Sequence, residues 1–211
     1  MRIAVVLFAY KRPEYLKKAL ASHSKIEGVD YIGIVDHSEM FWKISNMIYN
    51  SGIYNKHWGW HSNYGLNKSI LTGIKETFKE GYDAVIVLED DIVLKGDALI
   101  YLKTYLELLK DVKHIGAVSC KKEPGFLHKG FYCWGWGTWR DRWQSIQDEI
   151  DINGKSWDLQ VFDLFIKKGL YTYCSPIKRS KHIGTNGVHH KWYSNLSVRR
   201  LWAKLQHSFS F

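Results

Sequence analysis

The sequence predicts an α/β protein: an open, mostly parallel, twisted sheet with helices on both faces. Three observations predict it. Short apolar runs rich in β-branched residues recur at 3–8, 31–35, 84–88 and 115–118. Segments with apolar residues at helical spacing stand between them, the alternation that builds parallel sheets. The runs are apolar throughout, as strands buried on both faces are.

Ile3–Phe8 is the first strand. Arg12-Pro13-Glu14 opens a helix, with Pro13 suited to its first turn and Tyr15, Leu16, Ala19 and Leu20 at helical spacing. Tyr31–Val35 is the second strand and ends at Asp36-His37-Ser38. Trp42–Tyr49 reads as a helix closed by Asn50-Ser51-Gly52. A loop rich in Asn, His, Trp and Gly runs to Gly65. Leu66–Phe78 is helical, with Leu66, Ile70, Leu71, Ile74 and Phe78 on one side. Ala84–Leu88 is the third strand and ends in Glu89-Asp90-Asp91. Ala98–Leu109 is a further amphipathic helix and Ile115–Val118 a fourth strand. Past Lys121 the periodicity weakens, and Asp158–Lys168 is the one clear helix there. No repeat, low-complexity tract or linker divides the chain.

A length of 211 residues suits one domain. With 45% hydrophobic residues the chain can build a core, which excludes disorder as its main state. Ten Trp and thirteen Tyr offer flat faces for rings and sugars. Thirty Lys and Arg against 21 Asp and Glu leave a formal charge of +9. Such a surface draws phosphates, nucleic acid or anionic lipid, and charge alone does not choose among them. Cys120, Cys133 and Cys174 form no C-x-x-C pair, so neither a zinc site nor a redox motif is indicated, and a reduced compartment is expected. The apolar run Ile3–Tyr10 is followed by Lys11-Arg12-Pro13 without a small-residue cleavage site, so it reads as a strand and not a signal peptide. No apolar stretch approaches the length of a membrane span. The expectation is a cytoplasmic protein, at most peripheral on the inner face of the membrane.

The chemistry centres on Glu89-Asp90-Asp91. Ligands of open α/β sheets bind outside the carboxyl ends of the strands. Three consecutive carboxylates there repel one another, and a hard divalent ion, Mn²⁺ or Mg²⁺, relieves that repulsion while sharing substrate phosphates. The alternative is a solvated acidic turn. The densest acidic cluster of a basic chain, placed at a strand end, favours the metal. Ala9-Tyr10-Lys11-Arg12 and Asp36-His37-Ser38 end two other strands on the same crevice. No G-x-G-x-x-G follows the first strand and no G-x-x-x-x-G-K-[ST] occurs, which disfavours dinucleotide-binding and P-loop proteins.

Val5–Leu16 (VVLFAYKRPEYL), Asn63–Ile74 (NYGLNKSILTGI) and Tyr82–Leu94 (YDAVIVLEDDIVL) resemble the glycosyltransferase A fold, above all the nucleotide-sugar transferases of glycosyltransferase family 2. The Glu-Asp-Asp form of the metal motif is similar to that of N-acetylglucosaminyltransferase I. Phe131–Trp143 (FYCWGWGTWRDRW) resembles a segment of a bacterial subgroup of such enzymes. His182–His189 (HIGTNGVH) resembles that subgroup's later N-I-G…G…H motif, but is shorter and has His182 where Asn is usual. The resemblance covers residues 3–190.

It implies a single domain over 1–190, with a nucleotide-sugar half at 1–120 and an acceptor half at 121–190. Ala9, Tyr10 and Arg12 would line the nucleotide pocket, and Asp36 would hold the base, usually uracil. Asn63, Gly65 and Lys68 would lie near ribose and phosphates, with Glu89 in the same donor site. Asp91 would bind the metal and Asp90 the ribose or metal-bound water. His189 would be the late histidine ligand, with His190 and His182 as alternatives.

Trp134, Trp136, Trp139 and Trp143 need separate weighing. Gly135 and Gly137 separate the first three, and glycine lets backbone approach a ligand. About half of these rings are expected in the core. Trp134 and Trp136, flanking Gly135, are expected at the sugar. The resemblance places the catalytic base after this cluster, at a helix start. Ser156-Trp157-Asp158 fits, with Ser156 as N-cap and Asp158 as base. Asp158 could instead only complement the helix dipole, and Asp141 and Asp163 are the other candidates. The run Lys178-Arg179-Ser180-Lys181-His182 reads as a diphosphate contact or as a solvated loop. Val198, Leu201, Trp202, Leu205 and Phe209 recur at helical spacing on a basic tail, 191–211, that could lie in a membrane interface or pack on its own domain.

The expected function is transfer of a sugar from a nucleoside diphosphate donor, UDP above all, to a glycan or lipid-linked glycan, with inversion and with no nucleic-acid partner. The alternatives are a sugar-phosphate nucleotidyltransferase, which wants a Gly-rich loop after the first strand, and a non-catalytic carbohydrate-binding protein, which leaves Glu89-Asp90-Asp91 unexplained.

Overall fold

The computed structural model describes residues 1–184. In chain order the elements are β1 Ile3–Ala9, α1 Pro13–Leu20, β2 Val29–Val35, α2 Phe41–Asn50, β3 Lys56–Gly59 and α3 Gly65–Lys79. There follow β4 Ala84–Glu89, β5 Ile92–Leu94, α4 Ala98–Leu108, β6 Ile115–Lys122, β7 Leu127–Lys129 and β8 Trp136–Trp139. The last are α5 Arg140–Gln144, a 3₁₀ turn at Gln147–Glu149, α6 Trp157–Lys168, β9 Tyr171–Ser175 and β10 Ser180–His182.

Eight strands form one sheet in the order β3-β2-β1-β4-β8-β6-β9-β7, and β5 pairs with β10 beside it. β3, β2, β1 and β4 are parallel neighbours. β8 runs antiparallel to both β4 and β6, and β6 is parallel to β9. The sheet is therefore mostly parallel, as expected, with β8 inserted in the opposite sense and β7 reversed at its edge. The sequence expectation had no strand at β3, β5 or β7–β10. Residue 120, where the two halves were expected to meet, falls inside β6, and the sheet runs on through it.

Successive side chains of the central strands enter opposite cores, as strand geometry requires. Val5, Leu7, Ile86 and Leu88 pack toward Leu16, Ile44, Ile48 and Leu102. Val6, Phe8, Val85 and Val87 pack toward Ile70, Ile74, Val161 and Phe165. α3 lies close to the sheet because residue 73 is glycine; a Cβ there would overlap the Phe8 ring and the Ile34 side chain. Register then aligns the strand ends. Ala9 pairs with Val35, and Phe8 with Glu89. The turns at 10–12, 36–38 and 90–91 consequently share one edge of the sheet.

Candidate active site

Asp90 and Asp91, past the end of β4, are almost completely buried. Asp90 accepts a hydrogen bond from the Tyr10 backbone N–H at 3.1 Å. Arg12 spans the two acids: one guanidinium nitrogen pairs with Asp90 Oδ1, and Nη1 lies 2.7 Å from Asp91 Oδ2. His182 Nε2 lies 3.4 Å from that same Asp91 oxygen. The pairing of β10 with β5 puts it there, with His182 opposite Ile92 and the Ile183 N–H donating to the Asp91 carbonyl at 2.9 Å. Gly184 completes the corner, since a Cβ there would overlap Asp91 Oδ2 and stand 3.2 Å from Arg12 Nη1.

The electrostatics follow from burial and these partners. Burial, then the charges of Asp91, Asp158 and Asp90, push the Glu89 carboxyl well above its ordinary range. Burial also raises Asp90, against the opposing pull of Arg12. Burial would raise Asp91 too, but the hydrogen bond from His182 and the Arg12 charge win and hold it low. For Arg12 burial favours the neutral form, yet the fields of Asp90 and Asp91 prevail and raise its pKa.

Asp158 stands in the first turn of α6, near enough to this cluster for its charge to act on Glu89. Ser156 occupies the N-cap position but makes no cap hydrogen bond. Its Oγ donates to Asp158 Oδ1 at 2.5 Å instead. Asn67 of α3 caps the helix, accepting from the Trp157 N–H at 3.0 Å. Cys133 Sγ donates to Asp158 Oδ2 at 3.8 Å. The other candidate bases are engaged elsewhere: Asp141 pairs with Lys113 and Arg142, and Asp163 with Lys155.

Asp36 is held by backbone amides. Its carboxylate accepts from the backbone N–H groups of His37, Tyr64 and Gly65, each at 2.9 Å, and so anchors the start of α3 to the end of β2. Its own N–H donates to the Ala9 carbonyl. Asn63 Nδ2 donates to Tyr10 Oη at 2.7 Å. Lys68 Nζ sits 4.0 Å from the centroid of Tyr64, whose other neighbour is the stacked ring of Trp60 at 4.7 Å.

The tryptophans divide three to one. Trp136, Trp139 and Trp143 are buried, and Trp136 packs on Phe131, Trp143 and Trp157. Trp136 therefore belongs to the core and not to a sugar pocket, because β8 turns it into the layer under α6. Gly135 has φ +72°, the left-handed turn that leads into β8. Of these four, Trp134 is the exposed one, at 40%. It stacks on His182 with centroids 5.7 Å apart, and Lys121 Nζ stands 4.8 Å from its centroid. Arg179 is committed to Asp97 and to the Tyr101 ring, which leaves Lys178 and Lys181 as the exposed cations of that run. His189, His190 and the tail 191–211 lie outside the described residues.

Among the described residues no three His, Cys, Asp or Glu side chains converge into a ready-made ion cage. Mg²⁺ and Mn²⁺ seldom need one, since one or two protein ligands plus substrate phosphates suffice. Asp91 and His182, with only the Gly184 backbone against the carboxylate, are compatible with that kind of site. Cys133, Gly184 and Asn67 were not among the site residues expected from the sequence.

No protein-family model matches the sequence, and no curated protein matches it. Solved structures do match in shape. One is the mannosyltransferase PcManGT from Pyrobaculum calidifontis in complex with GDP-Man and Mn²⁺, at 12% identity and TM-score 0.68, over 90% of this chain and 59% of that one. Another is S. aureus TarS 1–349 in complex with UDP, at 15% identity and TM-score 0.59, over 85% and 59%. A third is a putative nucleotide-diphospho-sugar transferase from Desulfovibrio desulfuricans, at 11% identity and TM-score 0.54, over 95% and 97%. The chain thus spans 59% of the length of the first two. The fold these likenesses define is the glycosyltransferase A fold.

Proposed function

We propose that this chain is a glycosyltransferase that moves a sugar from a nucleoside diphosphate donor to an acceptor hydroxyl with the help of Mn²⁺ or Mg²⁺. The observation that carries the reading is the meeting of Glu89-Asp90-Asp91 with Asp158 at the carboxyl edge of the parallel strands, on this fold. Asp91, with His182 beside it, would hold the ion, whose charge would offset that of the departing diphosphate. Tyr10, Arg12 and Asn63 stand at the donor side of the edge. Asp158, held by Ser156 and Cys133, takes the acceptor hydroxyl proton as that oxygen attacks the anomeric carbon. The bond from that carbon to the diphosphate oxygen breaks in the same step, which inverts the centre. Trp134 offers its ring between Cys133 and His182, where an acceptor or donor sugar would stack.

By the sequence resemblance, the donor base is uracil and the acceptor a glycan or lipid-linked glycan of the cell envelope, reached from the cytoplasmic side. No helix among the described residues is long and apolar enough to cross a membrane.

Incubation with UDP- and GDP-sugars tests the reading. Release of UDP or GDP with Mn²⁺, abolished by EDTA, is the expected result. Pyrophosphate release from a nucleoside triphosphate and a sugar phosphate would instead identify a nucleotidyltransferase. Sugar binding without nucleotide binding would identify a carbohydrate-binding protein.

A further inference from the structure

Arg12 bridges the two buried acids through separate guanidinium nitrogens. This is the arrangement in which a planar, permanently charged fork outperforms a point charge. Its nitrogen also lies on Asp91 Oδ2, the oxygen that His182 approaches. A divalent cation at that oxygen and a guanidinium 2.7 Å from it would repel each other strongly in so buried a place. Removing the guanidinium alone would leave Asp90 and Asp91 buried without a counter-charge, which is costly. The two cations must therefore exchange, and the one displaced needs a new anion. A donor diphosphate is that anion: it takes a fork through two oxygens. The Arg12 side chain is 29% exposed, and its guanidinium carbon is 5.5 Å from the Tyr15 ring centroid, so it borders the open edge and not the core.

We propose that Arg12 is an internal counter-cation that holds Asp90 and Asp91 until the donor arrives, and that its transfer to the diphosphate frees Asp91 for the divalent ion. The inference rests on the glycosyltransferase reading above and adds the residue through which metal and nucleotide binding are linked. Gly184 packs its backbone directly against Asp91 Oδ2 and Arg12 Nη1, so no side chain from residue 184 stands between the two groups that must part. Arg12 is in this sense a positioning residue, acting on the metal through Asp91. The coupling must be reciprocal, so UDP tightens Mn²⁺ by the factor by which Mn²⁺ tightens UDP.

Mn²⁺ binding to the full chain, followed by electron paramagnetic resonance and calorimetry with and without UDP or GDP, tests this without turnover. In the wild type the nucleotide should tighten Mn²⁺ by about tenfold or more, within the usual range of such couplings. In Arg12→Gln, Mn²⁺ alone should bind several-fold tighter than in the wild type, and most of the coupling should vanish. Arg12→Lys, which keeps the charge but cannot span both acids, should fall between them and guards against a variant that fails to fold. Mn²⁺ affinity without nucleotide that is unchanged or weaker in both variants would overturn the exchange while leaving the transferase reading in place. Absence of Mn²⁺ and nucleotide binding in the wild type would overturn both.

Discussion

Cys133 and Asp158, 25 residues apart in sequence, meet across the edge of the sheet with Sγ 3.8 Å from Oδ2. With Ser156 on the other carboxylate oxygen, Asp158 is gripped from two sides. Burial pushes the Cys133 thiol well above its ordinary range, so the sulfur keeps its proton and remains a donor. A carboxylate so fixed suits the abstraction of a proton from a hydroxyl placed against it. Asp158→Asn should retain donor binding and lose transfer by ~10²–10⁴-fold, the usual worth of general-base catalysis. Single-turnover transfer and UDP titration on the same preparation check this. Near-wild-type turnover would remove Asp158 from the role.

Asp91→Asn should abolish metal-dependent nucleotide binding while the unfolding temperature shifts little, because Arg12 and His182 keep hydrogen-bonding partners at that position. UDP titration in Mn²⁺ and in EDTA is the measurement. Equal affinity of variant and wild type in Mn²⁺ would contradict the assignment.

Gly184→Ala is a smaller change with a similar readout. A methyl group there would overlap Asp91 Oδ2, so either the carboxylate or the chain at 183–184 must shift. The expected outcome is loss of most Mn²⁺-dependent nucleotide binding, with circular dichroism unchanged. Wild-type binding would show that this corner tolerates a side chain.

Trp134→Ala and Trp136→Ala should behave oppositely. Trp136 is fully buried among aromatic rings, so its removal should cost about 3–5 kcal/mol of stability by urea unfolding. Trp134 is 40% exposed, so its loss should leave stability within about 1 kcal/mol and weaken sugar-dependent turnover instead.

His23 gives the protein an acid limit. It is buried, and its Nδ1 shares a 2.8 Å hydrogen bond with the Tyr54 hydroxyl. Burial lowers its pKa from 6.5 to about 4. The unfolded chain then takes up the proton first. The contribution of this residue is complete above pH 6.5 and is lost between 6.5 and about 4. The loss amounts to about 3 kcal/mol. Unfolding free energies at intervals across that window should show the slope, and His23→Phe should flatten it.

The legible part of the fold was the part buried on both sides. β1, β2 and β4 announce themselves by uninterrupted Val, Ile and Leu, and α3 by its apolar stripe, and each was placed to within two residues. β3, β5, β7, β8 and β10 are three or four residues long, too short for periodicity to register. β8, Trp-Gly-Thr-Trp, carries no β-branched run, and its strand character comes from the neighbours β4 and β6 on either side. The acidic turn was legible because its residues are consecutive. The closeness of His182 to Asp91 was not, since it depends on β10 pairing with β5, two three-residue strands far apart in sequence, and so short a pairing leaves no local signal. The partners of Asp36 were hidden for a like reason, because a carboxylate binding three backbone amides looks in sequence like any other acid at a strand end.

The reversed strand β8 has a consequence for biogenesis. β4 ends at Glu89, but the neighbour that covers its flank is not made until Trp139. β6 gains its second neighbour only with Tyr171–Ser175. A nascent chain leaving the ribosome therefore carries a central hydrophobic strand with an open flank for some fifty residues of synthesis, the kind of edge that invites pairing with another chain. Folding of the N-terminal portion ahead of the rest gains nothing here, because the middle of the sheet is closed by its latest arrivals. Slow translation should increase aggregation of this protein, and a chaperone that shields exposed strands should raise its yield more than it does for folds whose sheets are built in chain order.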